Sequence, residues 1–354
     1  MPRWKDLSLS AWRMWRVLDW RPIQREAETP PQLALLGASP TLDRLAALFL
    51  AVETRRGPIG LPIDEPLPDL VVLDVSADAA HLEVASRQAR ELQDRDVAVL
   101  LLVPVGMAPS EPDLSFLAAD AAAPPTDERL GLALVDALPD ERRLGAARAA
   151  PALRAPLARL LIHEAAFANA QFALVTNLPT LLPGVGGAAA AGADVLVLTT
   201  NQIVLMFKMA ALWGASLDNP RALIAEVLPV VGGAFFWRTA ARTLIDLLPG
   251  FAVLAPKVGI AYIGTYVVGA LASAYYQSGV RPSDVRLREI EAEAREALLG
   301  AWRRLRPAAP DASPVLPPVP PEASSTPPAP VDSRTIPIAT IPSAAPPPTA
   351  PTGS

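Results

Sequence analysis

The segment from Leu182, LPGVGGAAAAGADVLVLTTNQIVLMFKMAALWG, holds the side chains whose placement most invites chemistry. Asp194 lies inside an apolar run, and Asn201 and Lys208 follow it at i+7 and i+14. That spacing keeps them on one helix face, drifting by about 40° over two heptads. On an otherwise apolar helix, such a stripe faces protein or a water-filled cavity rather than lipid. Two roles fit the carboxylate. Asp194 can pack between helices, with Lys257 as its candidate ion partner across a hairpin, or it can be one station of an ion or proton path. A path needs further acidic residues close by, and the segment offers none. Packing is the more economical reading.

Other chemistry is sparse. The chain has no cysteine, which removes disulfides, thiolate metal sites and cysteine nucleophiles. Its two histidines are His81 and His163. Glu164 follows His163, but Phe167 stands where the second histidine of an HExxH zinc helix is required. Both histidines read as ordinary helix residues. A phosphate loop would need GxxxxGK[ST], with glycine amides around the phosphates, a lysine reaching them and a hydroxyl on magnesium. From Gly37 the chain reads GASPTLDR: Leu42 replaces the second glycine, Asp43 the lysine and Arg44 the hydroxyl residue. An aspartate at that point repels phosphate. Asp74, in VVLDVSAD, has Ala77 where a GTPase has glycine, and PVGM at 104–107 stands where a guanine-reading motif would follow. No catalytic residue, cofactor-binding residue or metal ligand is assigned, no cofactor is expected, and the chain reads as a non-enzyme. A nucleotide-binding protein with an atypical site is the alternative.

Those residues must be held by elements of two kinds. Residues 32–37, 70–76, 97–105 and 130–135 are near-continuous apolar runs, the pattern of strands buried on both faces. Stretches 41–56 and 77–94 carry helical periodicity and charge. The alternation predicts a small parallel α/β domain over 32–145. A helical, strongly apolar domain follows over 151–282, then a charged amphipathic helix over 284–306.

Within the apolar domain, 258–276 has 19 residues and no charge, about 30 Å of helix, which matches the hydrocarbon thickness. Ala261, Thr265, Gly269 and Ser273 recur every fourth residue, a small-residue stripe that lets helices approach closely. Segment 186–207 is marginal: its apolar residues contribute roughly −2.5 to −5 kcal/mol, offset by about 2.5–3.5 for one central aspartate. Two transmembrane helices are expected, the second dependent on a partner. A soluble helical core burying both segments is the other solution, and a channel or transporter-like bundle a third. Pro- and Gly-rich breaks at 182–187, 228–233 and 248–250 cut the region into hairpin-length pieces.

The termini differ from both domains. Residues 1–24 read as a Trp- and Arg-rich amphipathic helix without the unbroken apolar core of a secretory signal. It can lie in a membrane interface or pack on the protein's own surface. After Arg306, 16 of the last 48 residues are proline, a composition that builds no core and predicts a disordered tail over 307–354. The formal net charge of −5 gives no basic face for nucleic acid. Basic residues flank the apolar segments on both sides, so charge counting does not set orientation.

Four blocks carry a resemblance: FANAQFAL with LPTLLPGVGG, GADVLVLTTNQIVLMFKMAALWG, GGAFFWRTAARTLIDLLPG, and KVGIAYIGTYVVGALASAYYQSG. In order and spacing, 157–280 resembles an uncharacterised bacterial membrane-domain family (domain of unknown function 697, YcjF-like) that often follows Era-like GTPase domains. The resemblance implies a membrane-associated helical domain behind a degenerate P-loop GTPase-like domain, with no catalytic residue to carry over. The expected function is a non-enzymatic scaffold or adaptor at the cytoplasmic membrane, with the α/β domain and tail in the cytoplasm. Its expected partners are the lipid bilayer and a second copy or another protein through the helical domain.

Overall fold

The computed structural model describes residues 19–49, 52–60, 63, 66–109, 111–120, 125–177, 188–231 and 255–305. The Trp-rich segment up to residue 18, the breaks at 182–187 and 248–250 and the Pro-rich tail lie outside them. So do the side chains of 188–196 and 255–257, which include Asp194 and Lys257.

The apolar runs form a parallel five-stranded sheet. Its strands are β1 (Leu33–Gly37), β2 (Thr54–Gly57), β3 (Leu70–Asp74), β4 (Ala98–Pro104) and β5 (Phe116–Ala119), in the order β2-β1-β3-β4-β5. This is the flavodoxin-like doubly wound order. Side chains alternate between faces with period two. Leu33, Leu35, Leu70, Val72, Leu100 and Leu102 face one layer, which includes Leu42 and Leu45 of α2 (Pro40–Leu48). Ala34, Leu36, Val71, Leu73, Val99 and Leu101 face the other, with Ala85, Ala89 and Leu92 of α3 (Leu82–Gln93). The helices after β1 and β3 therefore lie on opposite faces, which makes the β1/β3 boundary the topological switch point.

Two readings need correction. Residues 130–135, expected as a strand, lie inside α4 (Asp127–Ala137). Thr126 caps that helix by accepting the Arg129 amide at 3.4 Å, and Asp127 and Glu128 occupy its first turn, where the helix dipole favours them. Its buried residues, Leu130, Gly131, Leu134 and Val135, fall at helical spacing. Helical periodicity was also expected to run to residue 56, but α2 stops at Leu48 and 54–57 is β2, an edge strand.

Beyond α5 (Asp140–Ala149) the chain is helical: α6 (Arg154–Asn177), α7 (Ala188–Leu212), α8 (Pro220–Val231), α9 (Ala255–Ser278) and α10 (Asp284–Leu305). Contacts give the directions. Gly269 of α9 faces both Ile162 of α6 and Leu205 of α7, while Thr265, one turn earlier, meets Asn169 of α6 and Gln202 of α7. So α9 runs antiparallel to α6 and parallel to α7. The described residues up to Leu305 fall in one compact unit, and a single apolar cluster runs from β1 and β4 through α4 and α5 into α6, α7 and α9. A short N-terminal helix, α1 (Arg21–Glu28), buries Ile23 and Ala27 against this unit.

Among the described residues, one helix is long and apolar enough to cross a membrane. It is Val258–Ser278, with 21 residues, mean hydropathy 1.4 and 67% burial. The apolar described part of α7, Val197–Leu212, is shorter than a span.

Candidate functional site

Among the described residues, two polar constellations interrupt the apolar interior. The first lies at the carboxyl ends of β1 and β3, the crevice where doubly wound sheets place ligands. Gly37 pairs with Asp74 across the ladder and has φ +125, a conformation that L side chains rarely adopt. A Cβ there would also stand 2.5 Å from the Asp74 carbonyl oxygen. Ser39 follows as the N-cap of α2. Its Oγ accepts the amides of Thr41 at 3.1 Å and Leu42 at 3.4 Å and donates its single proton to the Asp74 carboxylate. The other Asp74 oxygen accepts from the Ser76 amide at 2.9 Å and the Ser76 hydroxyl at 2.6 Å. Both lone pairs and the proton of Ser39 are thereby in use. On the rim, Arg56 donates to Asp43 at 2.5 Å across a cleft lined by Gly37, Ala38, Ser39, Pro40 and Gly57.

The helix amides that a phosphate would need are thus taken by the protein's own serine, and the rim arginine is paired with an aspartate. This constellation acts as a clasp between two strand ends. Replacing Ser39 by alanine removes the cap and one of three donors to a buried carboxylate. We expect a loss of about 2 kcal/mol in urea unfolding; an unchanged midpoint would mean the clasp carries no stability.

The second constellation is a seam through the helices. Asn169 of α6 is fully buried; its Nδ2 donates to Thr265 Oγ1 at 2.8 Å and to the Leu198 carbonyl at 3.4 Å. Its Oδ1 accepts from Asn201 Nδ2 at 2.7 Å. Gln202 Nε2 reaches the same Thr265 hydroxyl at 3.3 Å. Trp213 donates its indole N–H to Ser273 Oγ at 3.0 Å, and His163 of α6 lies 3.0 Å from the Tyr262 hydroxyl of α9.

Each residue singled out by sequence has a definite place. Ala261, Thr265 and Gly269 are buried in the helix interfaces and Ser273 is half-buried beside Trp213. A Cβ on Gly269 would stand 2.7 Å from Leu205 and 2.8 Å from Ile162. Asn201 joins the seam, whereas Lys208 is half-buried near Glu26 of α1, so the two do not share one polar path. The side chains of Asp194 and Lys257 are not among those described. The α7–α9 register that sets Gln202 against Thr265 puts residues 194 and 257 at one level. The seam's centre, Asn169, escaped the sequence reading. Its signal was an amide in the middle of an otherwise apolar helix, in FANAQFAL.

Burial raises the Glu26 carboxyl above its usual value, with Lys208 and the Leu144 amide opposing and Asp140 and Glu141 adding to the rise. A folded pKa above the unfolded one means the native state binds the proton more tightly. That contribution is full below the ordinary carboxylate range and is lost as pH climbs through the raised value. Glu26→Gln should therefore raise the melting temperature slightly at neutral pH, with the gap closing in acid. A gap that widens in acid would reverse the assignment.

Among the described residues no cluster of His, Asp and Glu is arranged to hold a metal. No family model, curated protein or solved structure matches this chain.

Proposed function

We propose that this protein is a non-enzymatic, membrane-associated scaffold, a relative of the YcjF-like membrane-domain group, with its α/β half facing the cytoplasm. The observation that carries the reading is the graded charge of the helical unit. On α6 the charged residues are Arg154, Arg159 and Glu164, and none follows to Asn177. On α9 none follows Lys257. The C-terminus of α6 and the N-termini of α7 and α9 share one end of the unit. There 178–187, ten residues without a charge, connects α6 to α7 in the sequence. Asp194 and Lys257, the two charges of α7 and α9 toward this end, have opposite signs and share a level.

Contact with the bilayer at this end does not require α9 to cross it. α10 packs along α9 through Ile290, Ala294 and Leu298 and carries ten charged residues. Each would cost about 2.5–3.5 kcal/mol at the bilayer centre. In this packing α9 is a core helix. A spanning α9, the second reading, is favoured by its length and apolarity and would require α10 to detach.

Detergent-free, high-speed fractionation of cells expressing the full chain tests the proposal. The protein should sediment with membranes; recovery in the supernatant would refute it. A carbonate wash separates the two readings, since a spanning α9 resists the wash fully. For the scaffold role, the melting temperature should be flat across millimolar GTP and ATP, and a nucleotide-dependent rise would restore the nucleotide-binding alternative.

A further inference from the structure

We infer that the outer face of the C-terminal half of α6 is the surface that enters the lipid, an assignment resting on the membrane reading above. The exposed residues of this half, Phe167, Ala168, Gln171, Leu174 and Val175, fall at helical spacing and form one stripe. Leu174 is 41% and Val175 62% exposed, and Phe167 is 37%. Glu164 stands one turn below, paired with Arg143 at 3.5 Å. The opposite face, Ala166, Asn169, Ala170 and Ala173, is buried in the unit.

A helix packed on one face normally presents charged and polar residues to water on the other. The N-terminal half of α6 does so with Arg159 and Glu164, whereas the C-terminal half exposes no charge and a single amide, Gln171. From Phe167 to Val175 the stripe covers about 12 Å, comparable with the 5–10 Å depth at which interfacial helices seat their apolar faces. Its occupant is the bilayer rather than a protein partner for two reasons. The sequence that follows Asn177 is LPTLLPGVGG, ten residues without a charge. And the change from charged to uncharged runs along the helix axis, as a membrane's depth does, whereas a protein interface would set a polar rim around an apolar centre. A sharp boundary at Glu164 then sets how deep the unit sinks.

The test is flotation of the purified full-length protein with neutral phosphatidylcholine vesicles at low and high salt. Neutral lipid removes charge attraction, so binding reads apolar contact alone. The wild type should float at both salt levels. The double variant Leu174→Lys, Val175→Lys, exposed at both sites, should keep the wild-type melting temperature and lose at least tenfold in bound fraction. Leu132→Lys supplies the control. It removes an apolar residue 45% exposed on α4, away from this end, and should float as the wild type does. Equal flotation of the double variant and the wild type would overturn the α6 assignment while leaving the membrane reading intact. A wild type that stays at the bottom of the gradient would overturn the membrane reading itself. Equal losses in the double variant and Leu132→Lys would show a general effect of added charge and overturn the assignment.

Discussion

Replacing Gly145 by alanine should destabilise the protein by about 3 kcal/mol. Gly145 sits in α5 where the C-terminal end of α1 crosses it. A Cβ at this position would collide with the Thr29 carbonyl oxygen, lying 2.8 Å from the Thr29 carbonyl carbon and 2.9 Å from the Glu26 carbonyl oxygen. Every one of these atoms is backbone, so no side chain can swing aside. Either α1 lifts, exposing Ile23 and Ala27, or α5 shifts and disturbs Leu144, Ala146 and Ala147, all fully buried. Urea unfolding of the full-length variant measures the cost. A midpoint within error of wild type would mean that α1 is not seated on α5 as described.

The second large effect is expected at Asn169. Changing it to leucine should cost about 3 kcal/mol. It leaves the Asn201 amide without its acceptor, worth roughly 1–3 kcal/mol, and forces a branched apolar side chain between α7 and α9. The double variant Asn169→Leu, Asn201→Leu supplies the control, because removing both partners of a buried hydrogen bond is far less costly than orphaning one. We expect the double variant to recover part of the loss. Additive losses from the two single changes would contradict the coupling through this seam.

These two sites also show what a sequence can and cannot disclose. Strands β1, β3 and β4 were legible because both faces are covered and the runs are apolar without a break. The run LGLALV at 130–135 looks the same in isolation. Only the cap at Thr126 and the acidic first turn distinguish it, and together they make it helix α4. β5 is a four-residue edge strand of mixed burial, too short to leave a pattern. In the helical half, the fourfold spacing of Ala261, Thr265, Gly269 and Ser273 was readable as a close-packing stripe. Its partners were not, because Asn169 and Gln202 meet Thr265 through contacts distant in the chain.

The switch-point crevice makes the same point about function. Its sequence, GASPTLDR, shows which phosphate-loop residues are missing. It does not show that Ser39 caps the helix and closes onto Asp74. The turn that lacks the motif holds the clasp, and its donors tie β1 to β3. Gly145 is harder still: nothing in DERRLGAARA marks it as a crossing point until α1 is laid over it.

The central claim is that the α6 end of the helical unit meets the bilayer, and the absence of cysteine makes it directly measurable. A single cysteine at Val175, and separately one at the exposed position Glu83 on α3, can each carry an environment-sensitive fluorophore. On adding phosphatidylcholine vesicles with nitroxide-bearing acyl chains, the label at 175 should shift to the blue and be quenched, while the label at 83 stays in water. A label at 175 that keeps its aqueous emission and escapes quenching under the same conditions would contradict the account.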